Sequence, residues 1–392
     1  MIRSIALIGF AAGMIGFSSC SPARVPGTWQ AVETGTGDAF YSINFVSDEI
    51  GWANGQTDRS YVSPEDAANA NANSNANSNK SSNQTANKRA TNQNSNSAAS
   101  DPLKANEGFE VLHTTDGGKT WGQIQDQFKY KIRSVWFVDP QTGWALTIDR
   151  NILHTTDGGA SWVTQRSAHT VKYKQAWNRQ TPELDVPEPI DHVKFIDAQH
   201  GWAWGGGKKE EYGEQPGVLL TTVNGGQNWN EVPYPFTQNV CSMFFLDPRH
   251  AWASTVEGLY SSTDGGLNWT KIQTRLPELA FNAMYFTDDK TGFVVGRSGR
   301  MARTTDGGHS WWKMVDIKNE FVMRAISFTD KDHGWAVGDN GAILYTSDAG
   351  STWMSLDSQV PSKLINISFV NGRTGWASGL NGAVLKYEPV AR

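Results

Sequence analysis

Cysteine is nearly absent, with two in 392 residues. That is too few for a disulfide framework or a four-thiolate zinc site. Basic residues are the minority, 34 Lys and Arg against 39 Asp and Glu, for a net charge of −5. This disfavours a nucleic-acid binder that relies on counterion release. Beyond the N-terminus no apolar run reaches the roughly 18 residues of a membrane-spanning helix. Sustained 3.6-residue periodicity is missing too, which speaks against a helical array. What is present is an ordinary apolar share of 38%, enough to bury a core. There are also 39 Gly and 17 Trp, and that many indoles need a cause.

The N-terminus reads as an address. Residues 1–19 begin Met-Ile-Arg-Ser, continue without charge from Ile5 to Phe17, and end on Ser18-Ser19. A basic start, an apolar stretch and small residues make a secretory signal. Cys20 directly after the small pair resembles a bacterial lipobox, although Phe17 stands where Leu is usual. The expectation is an exported protein on the periplasmic or outer-surface face of a membrane, tethered through acyl chains on Cys20. A plain signal peptide with an incidental Cys is the alternative. Either way Cys241 has no intramolecular partner and is expected to be a small buried apolar residue.

The indoles belong to two repeats. A Gly-Trp turn recurs at Gly51-Trp52, Gly143-Trp144, Gly201-Trp202, Ala251-Trp252, Gly292-Phe293, Gly334-Trp335 and Gly375-Trp376, with late spacings of 41, 42 and 41. An Asp box, Thr/Ser-x-Asp-Gly-Gly-x-x-Trp, ends at Trp121, Trp162, Trp229, Trp269, Trp311 and Trp353. Before each Gly-Trp lies an alternating run such as Ile326-Ser327-Phe328, rich in aromatic and β-branched residues. Turns such as Asp330–Gly334 follow, with the Gly free to take φ > 0. Four short strands per 41 or so residues is the blade of a β-propeller, and seven Gly-Trp turns give seven blades. The expected fold is therefore all-β, a single seven-bladed propeller of four-stranded blades over 26–392.

The last repeat has three strands (Leu364–Phe369, Trp376–Gly379, Ala383–Tyr387) and no Asp box, while Gly27-Thr28-Trp29-Gln30-Ala31-Val32 resembles an isolated fourth strand. Residues 27–33 are expected to complete that blade, with Trp29 as a degenerate seventh box indole, and so remove an open sheet edge. Two stretches break the period. Residues 56–108 are rich in Asn, Ser and Ala, have nothing to bury, and read as a disordered insertion in blade one. Residues 167–187 read as a long inter-blade loop carrying Tyr173 and Trp177.

The Asp box suits a tight hairpin in which the carboxylate accepts backbone N–H groups. Asp116, Asp157, Asp264, Asp306 and Asp348, with Asn224 in one copy, are therefore structural, because no catalytic carboxylate is needed six times. The His residues repeat at equivalent blade positions and are structural as well. No cofactor or metal is expected. Gly205-Gly206-Gly207-Lys208-Lys209 lacks the spacing and the following helix of a phosphate loop.

Thr-Thr-Asp-Gly-Gly-x-x-Trp combined with Phe-x-Asp-x-x-x-Gly-Trp-Ala resembles the photosystem II stability/assembly factor family over roughly residues 26–388, minus the Asn-rich insert. The resemblance implies a non-catalytic, monomeric scaffold that docks a protein partner, such as a membrane-protein assembly intermediate, on a propeller face through an Arg patch. The Arg-rich stretch here is Arg297, Arg300 and Arg303 in blade five, with Arg324 at the start of blade six and Arg133 at the equivalent strand position in blade two. Three arginines at that spacing cannot all be buried unpaired. They either face an anionic or carboxylate-bearing partner or pair locally with Asp288, Asp289 or Asp306. Tyr173 and Trp177 join them as candidate contacts. Asp boxes also occur in sialidases, so an exported glycan-binding or glycan-hydrolysing propeller is the rival reading. Hydrolysis would need two facing carboxylates, such as Asp191 with Glu257.

Overall fold

The structure is a computed structural model that describes residues 27–56, 110–124, 129–173, 184–206, 209–210, 213–214, 217–236, 239–274, 276, 281–314 and 321–389. The signal segment 1–19, Cys20, Trp177 and the 56–108 insertion beyond Gln56 lie outside the described residues. Seven four-stranded antiparallel sheets follow one another along the chain. Blade 6 is representative, with strands Met323–Phe328, Gly334–Gly338, Ile343–Thr346 and Met354–Leu356. Counting from blade 1, the first strands are Ala39–Phe45, Ile132–Phe137, His192–Phe195, Val240–Phe245, Phe281–Phe286, Met323–Phe328 and Leu364–Phe369. First strands of neighbouring blades pack on each other at six of the seven junctions, all but that of blades 3 and 4, so these strands wall the central axis. The seam closes as expected: Gly27–Ala31 pairs antiparallel with the last strand, from Gly27↔Pro389 to Ala31↔Leu385.

The core is not one cluster but seven, each shared by two adjacent blades. One contact recurs in all of them. The Phe that ends each first strand stacks face to face on the Gly-Trp aromatic of the preceding blade. The pairs are Phe45–Trp376, Phe137–Trp52, Phe195–Trp144, Phe245–Trp202, Phe286–Trp252, Phe328–Phe293 and Phe369–Trp335, with centroids 3.4 to 4.4 Å apart. In every blade but the fourth the same Phe meets its own blade's box indole edge-on; in blade 4 Trp269 meets Phe236. Phe137–Trp162 is one case, at 5.9 Å and 81°. In blade 7 the partner is Trp29, at 6.0 Å and 86°, so Trp29 is the seventh box indole in geometry as well as in register. Such pairs add about 0.5–1.5 kcal/mol each beyond the area they bury.

The two repeats also meet across blades by hydrogen bonds. In four blades the Gly-Trp indole N–H donates to the first Gly carbonyl of the next blade's Asp box: Trp144 to Gly225 at 3.2 Å, Trp202 to Gly265 and Trp252 to Gly307 at 2.8 Å, and Trp376 to Gly117 at 3.3 Å. The Trp52 and Trp335 indole nitrogens have no partner among the described residues; of the two, only Trp335 precedes the blade that has no box. Within each box the Asp does what a turn carboxylate should. Asp116 accepts from Thr114 Oγ1 at 2.8 Å, Thr120 N at 2.9 Å and Thr120 Oγ1 at 2.6 Å. The Thr120 hydroxyl first, and then its N–H, hold Asp116 down at about 2, and Ser161 does the same for Asp157. Asn224 keeps the acceptor role, taking Asn228 N at 3.0 Å. Asp264, Asp306 and Asp348 repeat the pattern.

One expectation is corrected. The Gly of the Gly-Trp pair does not take positive φ; that conformation belongs to the box glycines, such as Gly117 and Gly118 at 72° and 83°. The cause is space. A Cβ at Gly51, Gly143, Gly201, Gly292, Gly334 or Gly375 would fall 2.3 to 2.5 Å from the ring of that blade's own Phe. A second reading is refined. Within 167–187 the chain forms an antiparallel ladder of Thr170–Tyr173 with Leu184–Pro187, so this stretch projects as a hairpin.

Trp29 is only 3% exposed. Trp29→Ala is expected to cost about 3–5 kcal/mol in urea melts, the usual penalty for emptying a buried indole site. Trp312→Ala, at 53% exposure, should cost under about 0.5 kcal/mol. Equal costs for the two variants would refute Trp29 as the residue that locks the seam.

Candidate functional site

Each first strand begins at the same end of the axis, here called the mouth; the Asp boxes lie at the opposite end. Six of the seven first strands carry a β-bulge at one shared position. Register slips between Phe40 and Ser42, Ile132 and Ser134, Val240 and Ser242, Phe281 and Ala283, Met323 and Ala325, and Leu364 and Asn366. The extra residues are Tyr41, Arg133, Cys241, Asn282, Arg324 and Ile365. A bulge re-aims its side chain, and here it presents an irregular, partly polar ring at the mouth. Asp191 holds this position in blade 3, its N–H bonded to the Trp204 carbonyl at 2.9 Å. Sequence reading matched Arg133 to Arg324 by strand position but had no signal for the bulge.

A cavity of about 540 Å³ opens at the mouth across blades 7, 1, 2 and 3, with Tyr41, Arg133, Trp136, Asp191, Lys194 and Trp204 among its walls. Its charge is unbalanced. Asp191 Oδ1 takes Arg133 at 3.1 Å and Arg150 at 2.9 Å, so one carboxylate serves two guanidiniums. Arg150 also donates to the Ile190 carbonyl at 2.9 Å. Burial, and then the Arg150 charge, loosen Arg133's hold on its proton, while Asp191 tightens it. Burial lowers His192 as well. Lys194 adds a further cation, its Nζ 5.4 Å from the Trp136 ring centroid and 5.3 Å from that of Phe244. Burial brings this ammonium down to about 8; cation–π attraction to the two rings offsets part of that cost.

The hairpin beside the mouth is braced at its base. Arg166 and Glu188, both nearly buried, form a two-pronged ion pair, with Nη2 to Oε2 at 2.9 Å. Glu188 Oε1 also accepts from His169 N at 3.0 Å. Charged pairs this enclosed are stable only with such added hydrogen bonds. The structure places the Tyr173 backbone in this hairpin.

The arginines do not form one patch. Arg133 stands at the mouth. Arg324 stands there too but is engaged by Asp339, Nε to Oδ1 at 2.5 Å and Nη2 to Oδ2 at 3.2 Å. Arg297 opens the short 3-10 turn Arg297–Gly299, at the same end, where its charge acts on Cys241. Arg300 ends that turn, with Nη1 buried and without a hydrogen-bond partner among the described residues. Arg303 points elsewhere, along the blade 5 strand Met301–Thr304 and over the Phe293 ring at 5.8 Å. Cys241 is half-buried at the mouth, and burial raises its thiol. The repeated His residues do serve turns: His200, His250 and His333 each hold the Asp three residues earlier at 2.8 Å.

A model of the family described as "Photosynthesis system II assembly factor YCF48" matches residues 221–315 and 314–388, which span blades 4 to 7 and the last part of blade 3. A search of curated proteins gives no match. Among solved structures, one titled "YCF48 bound to D1 peptide" is 19% identical, covers 94% of this chain and 99% of that one, and has a TM-score of 0.62. YCF48 from Cyanidioschyzon merolae is 17% identical over 92% and 99%, with a TM-score of 0.61. A streptogramin B lyase is 12% identical over 92% and 97%, with a TM-score of 0.57. The likeness to the photosystem II assembly-factor family therefore holds in motif and in fold. Since a lyase shares the fold, the fold alone does not select a function.

Lys194 yields a pH test. Its folded value, about 8, lies below its ordinary 10.5. The unfolded chain then binds more protons between those values, so the penalty is full below about 8 and fades as pH rises toward 10. Lys194→Met should therefore melt higher than the parent at pH 7, with the gap shrinking through pH 8 to 10. A gap that stays constant with pH would show that Lys194 carries no such penalty.

Proposed function

We propose that the protein is a non-catalytic scaffold of the assembly-factor type that captures a segment of another protein at the mouth. The observation that carries this reading is the cation excess there. Arg133 and Lys194 wall the cavity and Arg150 reaches the same Asp191, which is the only carboxylate lining the cavity among the described residues; Arg297 stands at the same end. Such a mouth suits a chain bearing carboxylates, with planar guanidiniums for bidentate contact and Tyr41, Trp136 and Trp204 for apolar side chains. The bound D1 peptide in the structurally similar YCF48 supports a peptide as ligand. The partner class we infer is an exposed segment of a membrane protein during assembly. We further infer export and a lipid anchor at Cys20, from residues 1–20 of the sequence.

Hydrolysis is the weaker reading. Glycosidase chemistry uses two carboxyl groups facing one bond. At the mouth Asp191 has no free carboxylate opposite it among the cavity walls, and its own Oδ1 is shared by two arginines.

The test is an anisotropy titration of a fluorescently labelled D1 peptide against the full chain at low salt. Saturable binding is expected, weakened tenfold or more by Arg133→Glu combined with Arg297→Glu, with the melting temperature within a few degrees of the parent. Absence of binding, or binding indifferent to both charge reversals, would overturn the reading.

A further inference from the structure

Seven equivalent cross-strand rows run from the Gly-Trp aromatic outward to the last strand of each blade. They read Trp52–His113–Gly122, Trp144–His154–Val163, Trp202–Thr221–Asn230, Trp252–Ser261–Thr270, Phe293–Arg303–Trp312, Trp335–Tyr345–Met354 and Trp376–Lys386–Gln30. Directly opposed residues on antiparallel strands share a face. In several rows the middle side chain packs on the inner aromatic; His113 stacks on Trp52 at 5.0 Å, and Lys386 lies over Trp376 at 5.9 Å. Only blade 5 sets a guanidinium between two aromatic residues and leaves the outer one, Trp312, 53% exposed.

Nothing in the fold calls for this arrangement. Trp312 belongs to neither of the core clusters that blade 5 shares with its neighbours, and Arg303 has no carboxylate partner among the described residues. The local pairing with Asp288, Asp289 or Asp306 does not form. Its Nε is buried without a hydrogen-bond acceptor among the described residues, while Phe293 lies under the guanidinium at 5.8 Å. A partly dehydrated, unpaired charge of this kind has lost hydration and gained no counter-charge, so an arriving anion restores what folding removed.

The row opens on a cavity of about 380 Å³ between blade 5 and the Asp-box turn of blade 6, walled by Arg303, Thr305, Trp312, Lys313, Gly350 and Ser351. That is ample for a ring-sized ligand. The nearest box carboxylate, Asp348, is turned into its own loop by Thr346 Oγ1, Thr352 N and Thr352 Oγ1 and is not a wall of the cavity. Ser351 Oγ donates to the Asp348 carbonyl at 2.9 Å and keeps lone pairs for a hydroxyl.

We propose that this groove, at the Asp-box end and distinct from the mouth, is a binding site for a carboxylated sugar ring of the hexuronic acid class. The carboxylate meets Arg303, the apolar face of the ring lies on the Trp312 indole, and the ring hydroxyls meet Thr305 and Ser351. An acidic peptide side chain would use Arg303 and leave the indole and the two hydroxyls idle, so the sugar acid fits the whole site better.

The experiment is saturation-transfer NMR on the full chain with sodium glucuronate, glucose and a Glu-containing pentapeptide in parallel. Transfer to the glucuronate ring protons is expected. Apparent affinity should fall at least tenfold in Arg303→Gln and in Trp312→Ala, with glucose and the peptide giving little transfer. Trp312→Ala removes an exposed side chain, so it tests the site even if Arg303→Gln disturbs packing over Phe293. Equal transfer to glucose, equal transfer to the peptide, no transfer to glucuronate, or transfer unchanged in Trp312→Ala would each overturn the proposal. Loss of D1-peptide binding by the mouth variants leaves this outcome untouched, so the two sites stand or fall separately.

Discussion

The rest of the structure depends on a flat contact between one blade's indole and the next blade's phenyl ring. Around the ring it is made six times with Trp and once with Phe293, at separations near van der Waals contact. Each sheet has too few residues to enclose a core of its own, so the apolar interior lies between blades. The Gly before the aromatic in six blades clears room for the phenyl ring, and at four junctions the Asp box places the carbonyl that the indole N–H finds. Two sequence repeats that look independent are thus the two halves of one interface, each useless without the neighbour's half. Blade 4, with Ala251 in place of Gly, and blade 5, with Phe293 in place of Trp, show that the stack persists when one half varies.

That division of labour frees the mouth. The box carboxylates at the far end are committed to turns, engaged by hydroxyls and amides of their own loops. At the mouth the only structural demand is the bulge, and it accepts Tyr, Arg, Cys, Asn and Ile alike. Binding residues can therefore vary there without disturbing the inter-blade contacts. The Arg133–Asp191–Arg150 arrangement, which joins two blades, is one use of that freedom. The nearly buried Arg166–Glu188 pair under the hairpin is another.

The fold was legible in the sequence because its cause is periodic. Phe328, Gly334-Trp335 and Asp348 recur with their equivalents at nearly constant spacing, and Trp29 outside the repeat had only one vacancy to fill. The sites were less legible because they lie where the period fails. Arg297, Arg300 and Arg303 are neighbours in the chain, yet a turn followed by a strand sends Arg297 toward the mouth and Arg303 toward the far rim. Arg324 resembles Arg133 in register, but Asp339, which no spacing rule links to it, takes up its charge. Lys194 and Asp191 are unremarkable as letters; their importance comes from the facing strands of other blades. The positive φ assigned to Gly334 failed for a related reason, since the constraint on that residue is a ring packed against it rather than a turn.

The pairing of Gly27–Ala31 with residues 385–389 has a consequence for biogenesis. The strand that clasps the ring is made before every other strand of the propeller, and its partner after all the others. Until that partner emerges, the nascent protein holds a partial arc with raw edges at both ends, and it can exchange strands with another copy doing the same. Contacts that span nearly the whole chain are slow to form. The interval before the clasp closes is therefore when this molecule most needs a chaperone, and a nick beside either of the two strands would leave it permanently in that condition.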